Sequence, residues 1–179
     1  RREDPSPFVD SIEKNQLQEV LIVQGDAPQD MSHRVYPNTS VDLIRLFKRY
    51  FPEVKVYAAL DAYRAGLRDE YEYIQRKLEA GADGFFTQPF FDVRLLEVYA
   101  DFLQEQKIFW GVSPVMTERS RNYWEARNQV IFPSDFEPTL EWNIAFAKKV
   151  LAYADAQDFD VYLMPIKVNI EKYLSGIFD

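Results

Sequence analysis

Residues Lys77–Asp92 read KLEAGADGFFTQPFFD, and their reading decides the fold. The stretch opens as the last turn of an amphipathic helix. Gly81 stops that helix, because glycine takes the left-handed conformation that closes a helix end. Gly84-Phe85-Phe86 then reads as a strand buried on both faces. The run turns polar at Thr87-Gln88 and breaks at Pro89. Asp92 can cap a helix that opens at Val93. The unit is helix–strand–helix, with a polar group at the C-terminal end of the strand. In parallel α/β folds that end is where ligands bind.

Outward from this unit the same period recurs. Toward the N-terminus, Val54–Leu60 (VKVYAAL) is a strand closing at Asp61, and Asp69–Ala80 is the helix after it. Ahead of them lie the buried run Glu19–Val23, ending in Gln24-Gly25-Asp26, and a helix Val41–Tyr50 with Ser40 as its N-cap. Leu43, Leu46 and Phe47 face inward on that helix. Residues 1–16 are expected to be a connecting helix or linker, with Pro7–Gln16 helical. Toward the C-terminus, the helix Val93–Gln106 and the strand Ile108–Val112 come first. A charged helix Thr117–Asn128 and a Pro-containing loop 129–138 follow. The long helix Leu140–Ala156 turns Ile144, Ala147, Val150 and Leu151 inward. The strand Asp160–Met164 and a closing helix Ile166–Phe178, with Ile170, Leu174 and Ile177 inward, end the chain.

Strand–helix repeated five times predicts an α/β fold with a parallel sheet and right-handed crossovers. The closure is either an open doubly wound sheet or part of an eight-fold barrel. No GxGxxG or P-loop sequence is present, which lowers the open nucleotide-binding reading. At 179 residues the chain is expected to be a single domain, 1–179. Its start, RREDPSP, reads as the middle of a longer polypeptide.

Composition narrows the function. A net charge of −8 disfavours nucleic acid and anionic membranes as partners. There are no cysteines, so thiolate metal sites and cysteine nucleophiles are excluded, and a reducing, cytoplasmic setting is expected. No apolar run approaches the ~18 residues of a membrane span. No metal site is expected. His33, alone in a polar loop, reads as a surface residue. Phe90, Phe91, Phe109 and Trp110 read as core, and the ERSRNYWEAR run as a solvated helix face.

Three segments together resemble the methylenetetrahydrofolate reductase family, flavin-dependent (β/α)8 barrels of the TIM type. Lys77–Asp92 carries the family's lysine, Ala-Gly-Ala-type turn, Thr-Gln and Phe-Phe-Asp. Val20–Asp26 resembles the strand that ends in Arg-Gly-Asp. Asn143–Met164 resembles the final helix and strand. On this resemblance the chain covers strands four to eight, and the catalytic glutamate of the first strand has no counterpart here. Five strands cannot close a barrel, so another segment or an oligomer is expected to complete it.

The resemblance implies reduction of 5,10-methylenetetrahydrofolate to 5-methyltetrahydrofolate with NAD(P)H through FAD. It implies that Gln88 contacts the pterin or nicotinamide, with the alternative that it satisfies a loop backbone. Asp26 would tune the flavin, or else form an Asx turn after Gly25. Gln24 stands where the family has arginine. Lys77 would reach the diphosphate-bearing arm of FAD, or else is a solvated lysine at a helix end. Glu70 would lie near the ribityl and ribose groups, or else is an exposed first-turn acid. Leu60 and Arg64 replace a tyrosine and a histidine that serve the flavin. That departure supports the rival reading, a divergent barrel that has lost flavin and serves as an interaction, assembly or folate-binding protein. Another barrel enzyme acting on a phosphate-bearing substrate ranks last, since no Gly-rich anion loop follows Val112 or Met164.

Overall fold

The computed structural model describes residues 4–25 and 38–179. Among them, five strands and seven helices follow one another in the expected order, with two helices between the last two strands. The strands form one sheet in the order β1-β2-β3-β4-β5. Pairing is parallel where β1 (Glu19–Ile22) meets β2 (Lys55–Leu60) and where β4 (Ile108–Val112) meets β5 (Asp160–Leu163). The chain divides into two compact units: Arg1–Leu60 with Arg68–Phe86, and Asp61–Leu67 with Thr87–Asp179.

In the first unit, α1 (Ser6–Asn15) is the expected leading helix. It buries Ile12, and Phe8 packs its ring 5.1 Å from Phe47 of α2 (Ser40–Tyr50). The cap of α2 is Thr39 rather than Ser40. Thr39 Oγ1 accepts from the Asp42 N–H while the Asp42 carboxylate accepts from the Thr39 N–H, a reciprocal capping box. Ser40 is freed by this to bond elsewhere. Leu46 and Phe47 are buried as expected, Leu43 is half-buried, and Ile44 is fully buried.

The continuous apolar run at β1 does not make a buried strand. Leu21 is 47% exposed and Val23 58% exposed. Among the described residues β1 is the end of the sheet and pairs only with β2. A buried-strand pattern without a covering neighbour stays exposed. β3 (Gly84–Thr87), in contrast, buries Phe85 and Thr87 and is half-covered at Phe86. The helix before it, α3 (Leu67–Glu79), ends as expected at Gly81, whose φ is +104°. The Gly81 and Ala82 N–H groups bond back to Leu78 and Lys77 carbonyls, closing the helix end.

The second unit carries α4 (Val93–Phe102), capped by Asp92, whose carboxylate accepts from the Arg94 N–H. The Arg94 guanidinium hydrogen-bonds that carboxylate and holds its pKa below the ordinary value. Phe90 and Trp110 are core, their rings 5.6 Å apart, with Tyr99 edge-on to Phe90. A second apolar cluster joins Phe91, Val115, Trp124, Val130 and Phe136. Trp124 anchors α5 (Glu118–Asn128), so that charged helix is solvated except where it holds this cluster. In α6 (Leu140–Gln157), Ala147 and Val150 face inward as expected. Asn143, Phe146 and Ala154 join them, while Ile144 and Leu151 are half-buried. Gly176 lets α7 (Ile170–Phe178) lie against Ile144 of α6. α7 begins later than expected, behind an Asn169 cap. That register turns Tyr173 and Ile177 inward and leaves Ile170 exposed.

Candidate functional site

Strand C-termini are where this architecture presents polar groups. The expected site residues that the structure describes fall at such ends, or on the helix beside one, in the two units. Each end is built differently.

In the first unit, β2 ends at Leu60, which is fully buried. The helix α3 brings Glu70 and Lys77 to this strand, seven positions and about two turns apart on one face. Both are buried, at 1% and 2% exposure, so neither is the solvated helix residue that position in the helix would suggest. The Lys77 ammonium donates to the Ala59 carbonyl at 2.6 Å. It stands 4.0 Å over the Tyr73 ring and 3.9 Å from Glu70 Oε1. Burial of two opposite charges is tolerated because each offsets the other's desolvation. Tyr73, on the same helix, donates its hydroxyl to Gln24 Oε1 at 2.9 Å and is hydrogen-bonded to Ser40 Oγ at 2.7 Å. Gln24, Glu70, Lys77 and Leu60 therefore all take part in the packing of the first unit. Asp26 and His33 lie outside the described residues.

In the second unit, Gln88 follows the last residue of β3 and is half-buried. Among the described residues its side-chain amide has no hydrogen-bond partner within the chain. The backbone around it is held firmly. Thr87 Oγ1 accepts from the Gly111 N–H at 2.9 Å, and the Phe90 N–H donates to the Gly111 carbonyl at 2.9 Å. Tyr162 donates its hydroxyl to the Thr87 carbonyl. The Phe91 N–H donates to the Tyr63 hydroxyl at 3.2 Å, and burial raises the Tyr63 pKa well above the ordinary tyrosine value.

The neighbouring strand ends are tied to each other. Ser113 Oγ donates to the Met164 carbonyl, and the Met164 N–H donates to the Val112 carbonyl. Asn143 clamps the segment after β4. Its Oδ1 accepts from the Val115 N–H and its amide nitrogen donates to the Val115 carbonyl. The sequence pattern assigns no site role to Tyr162 or Gly111. The signal was present as a glycine inside the strand IFWGV, which marks close approach by another group.

These geometries test the fit of FAD. A lysine that holds a diphosphate needs an open face. Lys77 is enclosed by a carbonyl, a carboxylate and an aromatic ring, and Leu60 offers no ring or polar atom to a flavin. Lys77 and Leu60, as placed here, do not fit the roles that FAD would ask of them. Among the described residues there is also no group of three or more metal-ligating side chains, and no helix is long and apolar enough to cross a membrane.

Comparison with known proteins gives two positive findings. The methylenetetrahydrofolate reductase family profile matches residues 6–147. Among solved structures, the chain is similar to an uncharacterized protein from Clostridium thermocellum that binds two copies of 5-methyl-5,6,7,8-tetrahydrofolic acid. The TM-score is 0.53 at 12% sequence identity, over 77% of this chain and 56% of that one, a likeness of fold. The chain thus spans little more than half the length of that protein. No curated protein matches significantly. The family match extends over most of the chain and contains the helix–strand–helix unit around Gln88, so this chain belongs to the methylenetetrahydrofolate reductase family.

Proposed function

We propose that this chain is the folate-binding part of a divergent (β/α)8-type barrel, in which Gln88 hydrogen-bonds the pterin ring of a reduced folate. One observation carries the reading. Gln88 offers an amide donor and acceptor with no partner in the chain among the described residues, on a turn held by bonds to Gly111 and Tyr162. A pterin edge carries matching acceptors and donors side by side. The binding of 5-methyl-5,6,7,8-tetrahydrofolic acid by the structural neighbour supports the same ligand class.

In this reading the five strands correspond to strands four to eight of the barrel. Their consecutive order supports this. So do the exposed Leu21 on β1 and Val23 just after it, which further strands would cover. A cytoplasmic location goes with the reading. The ligand does not use the cavity of about 260 Å³ at the start of α6. That cavity sets Asp135, Glu137 and Glu141 against the single cation Lys149, the wrong sign for the carboxylates of a folate.

The test is calorimetric titration of the intact protein with 5-methyltetrahydrofolate. Wild type binds. Gln88→Ala binds roughly tenfold more weakly, the loss of one or two hydrogen bonds. Absence of binding by wild type, or equal affinity in the variant, refutes the role of Gln88.

A second reading is the family's activity, reduction of methylenetetrahydrofolate with NAD(P)H through FAD, with Asp26 near the flavin. The family match favours it. It requires Lys77 to leave Glu70 and the Ala59 carbonyl. The visible absorption spectrum of the intact protein with added FAD separates the two: a bound-flavin spectrum supports the reductase, and its absence supports a folate binder without flavin.

A further inference from the structure

Gln88 can recognise a ring edge only if its backbone is aimed. The contacts that aim it converge on two residues, one in β4 and one in β5. Gly111 receives Thr87 and Phe90 on either side of the Gln88-Pro89 pair, donating its N–H to Thr87 Oγ1 and accepting the Phe90 N–H. Tyr162 donates to the Thr87 carbonyl, the oxygen of the peptide group whose nitrogen belongs to Gln88. Tyr162 and Gly111 are register partners across β4 and β5. The tyrosine ring passes directly over the glycine. A Cβ at residue 111 would stand 2.7, 2.8 and 2.9 Å from Oη, Cζ and Cε1 of Tyr162. Such approaches leave no room for a side chain, so glycine is required for the tyrosine to reach β3.

We propose that Tyr162, passing over Gly111, is a positioning residue that aims Gln88 at its ligand. The proposal rests on the folate reading of Gln88. The ring of Tyr162 supplies packing, which phenylalanine would supply equally. The hydroxyl, by donating to the Thr87 carbonyl, restrains the Thr87–Gln88 peptide plane. Gly111 holds the other side of the turn, so the two residues act as one clasp. Removing either lets the Gln88 amide sample other directions, and a ligand must then order it at binding.

The experiment uses the intact protein, ¹⁵N-labelled, with Tyr162→Phe, Gly111→Ala and the double variant. The side-chain amide resonances of Gln88 are followed by NMR, and affinity for 5-methyltetrahydrofolate by calorimetry. Tyr162→Phe is expected to shift or split the Gln88 amide signals. It should weaken folate binding roughly five- to tenfold while the melting temperature moves little. Gly111→Ala should reproduce the signal change, and the double variant should add little to either, because a Cβ at residue 111 displaces the Tyr162 ring and so breaks the same hydroxyl contact. Unmoved Gln88 signals in Tyr162→Phe and Gly111→Ala overturn the positioning role, whatever the folate affinity. A large loss of thermal stability in Tyr162→Phe also overturns it, marking the bond as structural. Shifted signals with wild-type folate affinity in Gln88→Ala overturn the folate reading and leave the aiming of Gln88 standing.

Discussion

Lys77 and Gln88 come from one sixteen-residue stretch, yet the two polar groups are used in opposite ways. Lys77 is drawn into its own unit, where Glu70, the Ala59 carbonyl and the Tyr73 ring surround the ammonium. Gln88 is left half-exposed without a partner among the described residues, while Thr87 and Phe90 on either side of the Gln88-Pro89 pair are bonded. The difference teaches that a polar residue at a strand end, or on the helix beside one, signals binding only when the fold has not already satisfied it. Buried charge demands a partner inside the protein, and once that demand is met little is left for a ligand. A neutral amide at the surface makes no such demand, since water satisfies it until a ligand arrives.

The comparison can be broken by mutation, and the largest effect is expected at Glu70. Glu70→Ala leaves the Lys77 ammonium buried without its counter-charge and should cost about 3–5 kcal/mol in urea unfolding. Replacing both partners by apolar residues, Glu70→Leu with Lys77→Met, should restore most of that loss. A cost below about 1 kcal/mol for Glu70→Ala would mean that the pair is solvated in solution, as surface pairs are. Lys77 would then be open to a phosphate after all.

Tyr73→Phe comes next. It removes the hydroxyl shared by Gln24 and Ser40 and should cost about 1 kcal/mol. No cost would show that this network does not close the end of β1.

Gln88→Ala should change stability by less than about 0.5 kcal/mol, since the side chain it removes makes no bond within the described residues. A larger loss would make Gln88 a structural residue like Lys77 and erase the contrast.

Tyr173 sharpens the picture from a different side. Its buried hydroxyl has no partner among the described residues, and burial pushes its pKa up to about 12. The unfolded chain releases that proton near pH ~10, the folded chain only near 12, so its contribution is present below pH ~10 and lost as pH rises toward 12. Tyr173→Phe should leave stability at pH 7 nearly unchanged and should flatten the fall between pH 10 and 12. An equal fall in both proteins would assign the alkaline loss to other groups.

Much of the fold was legible in local pattern. The five strands, the leading helix, the Gly81 stop and the Asp92 cap follow from periodicity and capping chemistry, which act over a few residues. The errors fall where long-range context rules. β1 has the sequence of a covered strand and, among the described residues, the position of an edge. Ser40 looks like a cap, but Thr39 with Asp42 makes the better reciprocal pair. At the site, Gln88 was legible from its place after a strand. The fate of Glu70 and Lys77 was not, because nothing local distinguishes a solvated lysine at a helix end from one folded back onto the neighbouring strand.

By itself, then, the sequence determined the alternation of strands and helices, their approximate ends, the family and the position of Gln88. These rest on hydrophobic period, turn residues and motif, all carried by neighbours in the chain. Only the tertiary structure decided which polar groups are consumed and which remain. The reach of Tyr162 over Gly111 to Thr87 joins residues 75 positions apart, and Lys77 meets Ala59 across 18. Such choices depend on desolvation and close packing between distant segments, and no local pattern encodes them.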